Sequence, residues 1–210
     1  ESGQFLDGLL EVVNCSTAGS RITGAIAAAD AFGDTGQQQL GIAPGETVLF
    51  IVDVLSVETP PEPLAAADGA PQDLPAGFPT IELAEDGNPT VTIPDADPPA
   101  ELEIAASKVG DGPVVPDGAT VTVHYKGLNW RTGEVFDESW ARGEPSSFPT
   151  SGVIPGFRDA LVGQTVGSQV VAIIPPDQGY GPQGGNPGAG IEADDTLVFV
   201  VDILGTTTAG

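Results

Sequence analysis

The residue types that carry most covalent and metal chemistry are scarce in this sequence and badly spaced for it. His124 is the only histidine and Cys15 the only cysteine of 210 residues. A zinc site takes four ligands, of which histidine and cysteine are the usual ones, so no zinc set is present. Asp95, Asp97, Asp111, Asp194 and Asp195 are scattered and do not form the Asp-x-Asp-x-Asp-Gly loop that calcium takes. They read as a solvated acidic face. The glycine-rich stretch 183–190 lacks the lysine and the strand-to-helix order of a phosphate loop. No metal and no cofactor is expected. What is left is a group of aromatic rings and one carboxylate. Phe136, Phe148 and Phe199 stand on strand-like segments, Tyr180 precedes Gly181, and Asp137 precedes Glu138. Taken singly they read as core rings, a turn aromatic and a turn acid. His124 precedes Tyr125 on an alternating strand, so it faces the other way and reads as structural.

The elements that would position these residues are mostly strands. Leu102–Ala106 alternates, and Gly110-Asp111-Gly112-Pro113 is a turn. Thr120–Tyr125 (TVTVHY) is β-branched with period two. Glu134–Asp137 follows a tight turn at Arg131-Thr132-Gly133. Across Gly156–Val162, Phe157, Ala160 and Leu161 share one helical face, and Gly163 is placed to end the helix. Ser168–Ile174 and Thr196–Leu204 are apolar strands. The order predicts an α+β fold, one short helix across an antiparallel sheet.

An internal repeat sets the domain organisation. Residues 47–55 (TVLFIVDVL) and 196–204 (TLVFVVDIL) are identical at five of nine positions. At nearly the same offset Gly19-Ser20-Arg21-Ile22 matches Gly167-Ser168-Gln169-Val170, and Phe32-Gly33 matches Tyr180-Gly181. Residues 1–57 thus repeat 150–206, with a helix expected at Gly8–Val13 and strands at Ser20–Ala27 and Thr47–Leu55. Residues 58–101 differ. Six prolines in 58–79 and few large apolar residues predict a semi-extended linker. Thr80–Leu83 and Thr90–Ile93 flank a turn at Asp86-Gly87-Asn88 and read as a β-like arm. Residues 102–210 form the complete copy.

Composition excludes several partners. Thirty acids against six lysines and arginines give a formal net charge of −24, which repels nucleic acid and anionic membrane surfaces. Glycine (29) and proline (20) mark turns and linkers without a collagen period. No apolar run is long enough for a transmembrane helix. The absence of methionine reads as a processed or truncated chain. Cys15 follows Glu-Val-Val-Asn, which does not suit a lipid-anchoring cysteine.

Six blocks between Leu102 and Gly205 resemble the FKBP-type peptidyl-prolyl cis-trans isomerases. They are VTVHYKG (121–127), TGEVFDES (132–139), VIPGF (153–157), VGSQV (166–170), PPDQGYG (175–181) and TLVFVVDIL (196–204), in family order. The resemblance implies a half-wrapped antiparallel sheet around one short helix, with an apolar pocket between them. It implies catalytic roles for Tyr125, Phe136, Asp137, Ile154, Phe157, Tyr180 and Phe199, and substrate-binding roles for Arg142, Phe148, Val153 and Ile191. Phe157 would be the pocket floor, where well-known members carry tryptophan. The loop 182–190 differs in length from the simplest members. Tyr180 and the backbone N–H of Ile154 would hold substrate carbonyls, and a Tyr125–Asp137–Arg142 set would fix Asp137. Implied partners are proline-containing polypeptides and the family's macrolide ligands. The blocks look most like exported isomerases of high-G+C Gram-positive bacteria. That implies an extracytoplasmic protein, secreted or at the surface, with a lipid anchor before residue 1 as one form.

The first copy matches only the second half of such a domain. Its equivalent of Tyr180 is Phe32, and Pro175-Pro176 becomes Ala27-Ala28, so weak or no catalysis is expected there. Two other readings use the same fold without turnover: a binding module, and an accessory subunit of an envelope complex docking through residues 1–57.

Overall fold

The computed structural model describes residues 17–32, 38–55 and 61–207. They fall into two units divided after Pro60.

In the first unit β1 (Arg21–Ala27) and β2 (Thr47–Asp53) pair antiparallel, from Arg21↔Asp53 to Ala27↔Thr47. A short helix, Ala28–Phe32, continues from β1. The expected strands are present, two residues shorter at the end of β2. The Arg21 guanidinium closes the open end of the pair on the Asp53 carboxylate, at 2.5 and 2.7 Å. The helix expected at Gly8–Val13, and Cys15, lie outside the described residues.

Among the described residues the second unit has nine strands. They are β3 (Ala70–Pro71), β4 (Thr80–Leu83), β5 (Pro89–Thr92), β6 (Glu103–Val109), β7 (Thr120–Asn129), β8 (Val135–Glu138), β9 (Ser146–Pro149), β10 (Gln169–Ile174) and β11 (Leu197–Thr207). The main sheet runs β3-β6-β10-β11-β7-β8, with β9 also beside β7, and every pairing is antiparallel. β10 meets β11 from Gln169↔Asp202 to Ile174↔Leu197. The matched residues of the first unit, Arg21 and Asp53, pair in the same register.

Helix Pro155–Leu161 lies across one face of this sheet. Pro155 sits at its first turn, where no N–H is required, and Gly163 follows its end at φ +85°. Phe157, Ala160 and Leu161 pack with Val170, Ala172, Ile174, Leu197 and Val201 into one core. Gly156 permits this approach: a Cβ there would lie 2.5 Å from Ile174 Cγ2.

The opposite face is also covered, and from residue 61 onward the expected semi-extended linker is packed on it. Residues 61–101 belong to the second unit. Leu74, Phe78, Ile81, Val91 and Ile93 pack on Leu128, Trp130, Val171, Ile173, Val198 and Val200. The β-like arm is the β4–β5 hairpin, and β3 joins the sheet edge beside β6. The segment is fastened by polar contacts. Trp130 Nε1 donates to Ala96 O (3.0 Å), Leu64 N to Leu204 O (2.9 Å) and Lys108 Nζ to Ala67 O (2.8 Å). A proline-rich segment with few apolar residues needs no core of its own when a sheet supplies one. β9 went unread because Ser146–Pro149 carries little β-branched signal.

Gly156→Ala forces the helix off Ile174. Overpacking of this kind costs about 1–3 kcal/mol. The melting temperature is expected to fall by several degrees, while Gly163→Ala, with open space around its Cβ position, suffers only its φ penalty.

Candidate active site

A cavity of about 510 Å³ opens between the helix and the sheet. Its lining includes nine of the sequence-predicted residues: Tyr125, Phe136, Asp137, Phe148, Val153, Ile154, Phe157, Tyr180 and Phe199. Phe157 is its floor and the hub of the rings. At 5% exposure it meets Phe199 (centroids 4.7 Å apart), Phe148 (5.8 Å) and Tyr125 (6.1 Å, edge-on). Phe136 stands edge-on to Phe199 at 5.5 Å and 81°. Offset and edge-to-face contacts are the favoured aromatic geometries.

Three elements bring the polar group of the site together. Tyr125 comes from β7, Asp137 from β8 and Arg142 from the 3-10 turn Trp140–Arg142. The Tyr125 hydroxyl donates to Asp137 Oδ2 at 2.5 Å. Arg142 Nη1 donates to Asp137 Oδ1 at 2.6 Å, and Nη2 to the Tyr125 hydroxyl at 2.9 Å and to Ser146 Oγ at 3.1 Å. Asp137 therefore has both oxygens engaged while its side chain stays 47% exposed at the cavity. Arg142 fixes the set from the side and is not part of the cavity lining. Burial pushes the Tyr125 phenol above its ordinary range, and its bond to the Asp137 carboxylate adds to this. Burial raises Tyr180 likewise, helped by the negative charge of Asp137.

The back of β7 holds Tyr125 in place. Its N–H donates to the buried Ser139 Oγ at 2.8 Å, and His124 Nδ1 meets the same oxygen at 2.8 Å. His124 stacks on Trp140 at 5.0 Å and 17°, as its structural reading requires. Burial lowers the His124 pKa, against an opposing pull from Asp202.

Ile191 is a correction. It is 2% exposed, packs in the core and does not line the cavity. It bonds across the loop to Asn186, which turns its side chain inward. The altered length of 182–190 hid this. Gly152, Pro155 and Gln183 line the cavity and were not singled out from the sequence. Gly127 is the other residue missed. A Cβ there would come 2.6 Å from Phe136 and 2.9 Å from Phe199. A glycine inside a strand is the signal that marks such a close approach.

Among the described residues no group of three or more His, Cys, Asp or Glu is placed to hold a metal. No helix among them is long and apolar enough to cross a membrane.

Comparison with known proteins identifies the family. The model of the family described as FKBP-type peptidyl-prolyl cis-trans isomerase matches residues 112–204. A probable FK506-binding protein of Corynebacterium glutamicum is 40% identical over 117 residues, 55% of this chain and 96% of that protein. An FK506-binding protein of Streptomyces anulatus is 42% identical over 118 residues, 55% of this chain and 94% of that protein. The crystal structure of FkpA from Escherichia coli superimposes with a TM-score of 0.49 at 32% identity, covering 65% of this chain and 54% of that one. The chain belongs to the family of FKBP-type peptidyl-prolyl cis-trans isomerases, and its activity is isomerisation of X–Pro peptide bonds.

Two predictions follow from the geometry. The chain has two tyrosines, and both line the cavity. A free phenol ionises near pH 10. Alkaline titration of phenolate absorbance should show no tyrosine at that value in the folded protein and both in denaturant. A folded midpoint near that of free tyrosine would contradict their burial. Gly127→Ala should displace Phe136 and Phe199 and lower kcat/KM about tenfold or more, the scale of an ångström-sized misplacement, with far-UV circular dichroism unchanged.

Proposed function

We propose that the cavity of the second unit catalyses X–Pro rotation without any covalent step, and that the rings and the Asp137 group divide the work. Rotation about the amide carries a barrier of about 18–20 kcal/mol from its conjugation. Uncatalysed, it takes tens of seconds or longer. No bond must be made or broken, so binding the twisted amide better than either planar form is sufficient. The observation that carries this reading is the composition of the cavity: four phenylalanine rings, two phenols and one fixed carboxylate, with neither thiol nor imidazole in the lining.

Phe136, Phe157 and Phe199 form the walls for the proline ring. A twisted amide has lost conjugation and its carbonyl is less polar, so an apolar setting favours it over the planar forms. The Tyr180 hydroxyl and the Ile154 N–H hold the carbonyls that flank the bond. Ile154 suits this because it precedes the helix in an extended conformation, its own carbonyl taken by Phe157 N (3.1 Å) and Arg158 N (3.0 Å). Asp137, held by Tyr125 and Arg142, faces the reacting carbonyl carbon or orients a water there. The clients are proline-containing polypeptides during folding, and macrolides are competing ligands, as the names of the FK506-binding relatives suggest. The working place is outside the cytoplasm, secreted or at the cell surface, and fractionation of the producing cells tests it.

A second role is proposed for residues 1–57, docking to an envelope protein. Leu49 and Ile51 are 65% and 64% exposed, whereas the matched Val198 and Val200 are fully buried. Retention of a partner that depends on residues 1–57 and not on Tyr180 supports this role; retention unaffected by their removal excludes it.

The isomerase mechanism is tested on a short X–Pro peptide. Tyr180→Phe should lower kcat/KM about two- to tenfold, the worth of one neutral hydrogen bond. Asp137→Val should lower it about ten- to a hundredfold, because a charged pair is lost. Phe136→Ala should fall at least as far as Tyr180→Phe. Full activity in all three would overturn the site assignment.

A further inference from the structure

We infer that Lys126 is a positioning residue for this site, locking the edge strand that carries Asp137 by drawing the turn of the 61–101 segment against it. The inference rests on the isomerase reading above. β8 has four residues and meets β7 at Lys126↔Glu138, Gly127↔Asp137 and Leu128↔Val135, with a register shift between Gly127 and Leu128. A short edge strand with a broken ladder is where local opening begins. Opening here would carry Asp137 away from Tyr125.

Alternation puts Tyr125, Gly127 and Asp137 on the cavity side and Lys126 and Glu138 on the other. On that side the Lys126 side chain is only 12% exposed. An ammonium has three donors. Two hydrogen bonds and one ion pair use it: Nζ donates to Asn88 Oδ1 at 2.6 Å and to Pro89 O at 2.8 Å, and Glu138 Oε2 lies 3.0 Å away as a counter-charge without a hydrogen bond. Asn88 and Pro89 belong to the β4–β5 hairpin, whose turn is shaped by Gly87 at φ +81° and by Asn88 N donating to Asp86 Oδ1 at 3.1 Å. Lys126 thus ties three strands by one largely covered charge, and two of its three partners come from a segment outside the family-matched residues 112–204. Removing it would leave the half-buried Glu138 carboxylate without its counter-charge and loosen β8 at that end.

The far end of the same segment supplies the control. There Ala67 N donates to the buried Asp202 Oδ2 at 3.1 Å, and Gln169 Nε2 donates to Oδ1 at 2.7 Å. Asp202→Asn loosens the segment without touching β8.

The experiment compares the full chain with Lys126→Met, Lys126→Arg, Asn88→Ala and Asp202→Asn. Isomerisation of one X–Pro peptide is measured at a temperature where near-UV circular dichroism shows each variant folded. The expected result is a loss of about tenfold in kcat/KM for Lys126→Met, in line with misplacement of a catalytic group. Partial recovery in Lys126→Arg, a smaller loss in Asn88→Ala, and wild-type kcat/KM in Asp202→Asn are expected with it. In Lys126→Met the tyrosine titration should also move back toward that of free tyrosine, as Tyr125 loses Asp137. Where Lys126→Met does not fold, Asn88→Ala against Asp202→Asn carries the comparison. Wild-type kcat/KM in folded Lys126→Met, or in folded Asn88→Ala where that variant carries the comparison, overturns the inference alone. So does an equal loss in Asp202→Asn at matched stability. An inactive wild-type chain overturns the isomerase reading and this inference with it.

Discussion

The arrangement of the second unit depends on one constraint: strands β10 and β11 are buried on both faces. Val170, Ala172, Ile174, Leu197, Phe199 and Val201 face the helix, and Val171, Ile173, Val198 and Val200 face the 61–101 segment. An antiparallel sheet commonly leaves one face to solvent and then alternates apolar with polar. Here alternation is absent because neither face is wet. Burying both costs the chain an additional covering layer, and residues 61–101 are that layer. The cavity exists because the helix covers its face incompletely. The rings of Phe136, Phe148 and Tyr125 close part of the gap and leave the remainder open.

The floor of the cavity is a packing problem with a chemical consequence. Phe157 can touch three rings only because Gly156 lets the helix sit on Ile174. Phe136 and Phe199 can meet only because Gly127 has no Cβ. Two glycines therefore set the depth of the apolar wall, and the Tyr125–Asp137–Arg142 group sets its one polar side. An ion pair with both partners nearly half exposed contributes little to stability. Its value lies in direction: one Arg142 donor and the Tyr125 phenol each hold one carboxylate oxygen, and a second Arg142 donor holds the phenol.

The two units show how context changes a shared register. Gln169 and Asp202 pair as Arg21 and Asp53 do. In the second unit the pair lies beneath the covering segment, and Asp202 accepts from Gln169 and from Ala67 N. Burial raises the Asp202 pKa, so ionising it works against the folded state. That contribution to stability is present while Asp202 is protonated and is lost as pH rises through its folded pKa. In the first unit the same position is exposed, and arginine replaces glutamine as partner. The surface pair carries a full charge on each side because water solvates both.

Legible in the sequence were the strands that alternate or run apolar, the helix marked by its Phe157, Ala160 and Leu161 face and by Gly163, the internal repeat, and, through the family blocks, most of the cavity residues. These are local or short-range signals: periodicity, turn residues and ordered blocks. Tertiary structure alone decided the rest. The stretch 58–79 looked unable to hold structure because its apolar residues are few, yet Leu74 and Phe78 suffice once a sheet face meets them together with Ile81, Val91 and Ile93 of the arm. Ile191 looked like a cavity residue, but the geometry of loop 182–190 turned it into the core. Gly127 and Lys126 looked like ordinary strand residues. Their importance comes from what approaches them, two rings on one side and a hairpin turn on the other. Local sequence specifies which way a side chain points along a strand. Only the packed fold specifies what it meets.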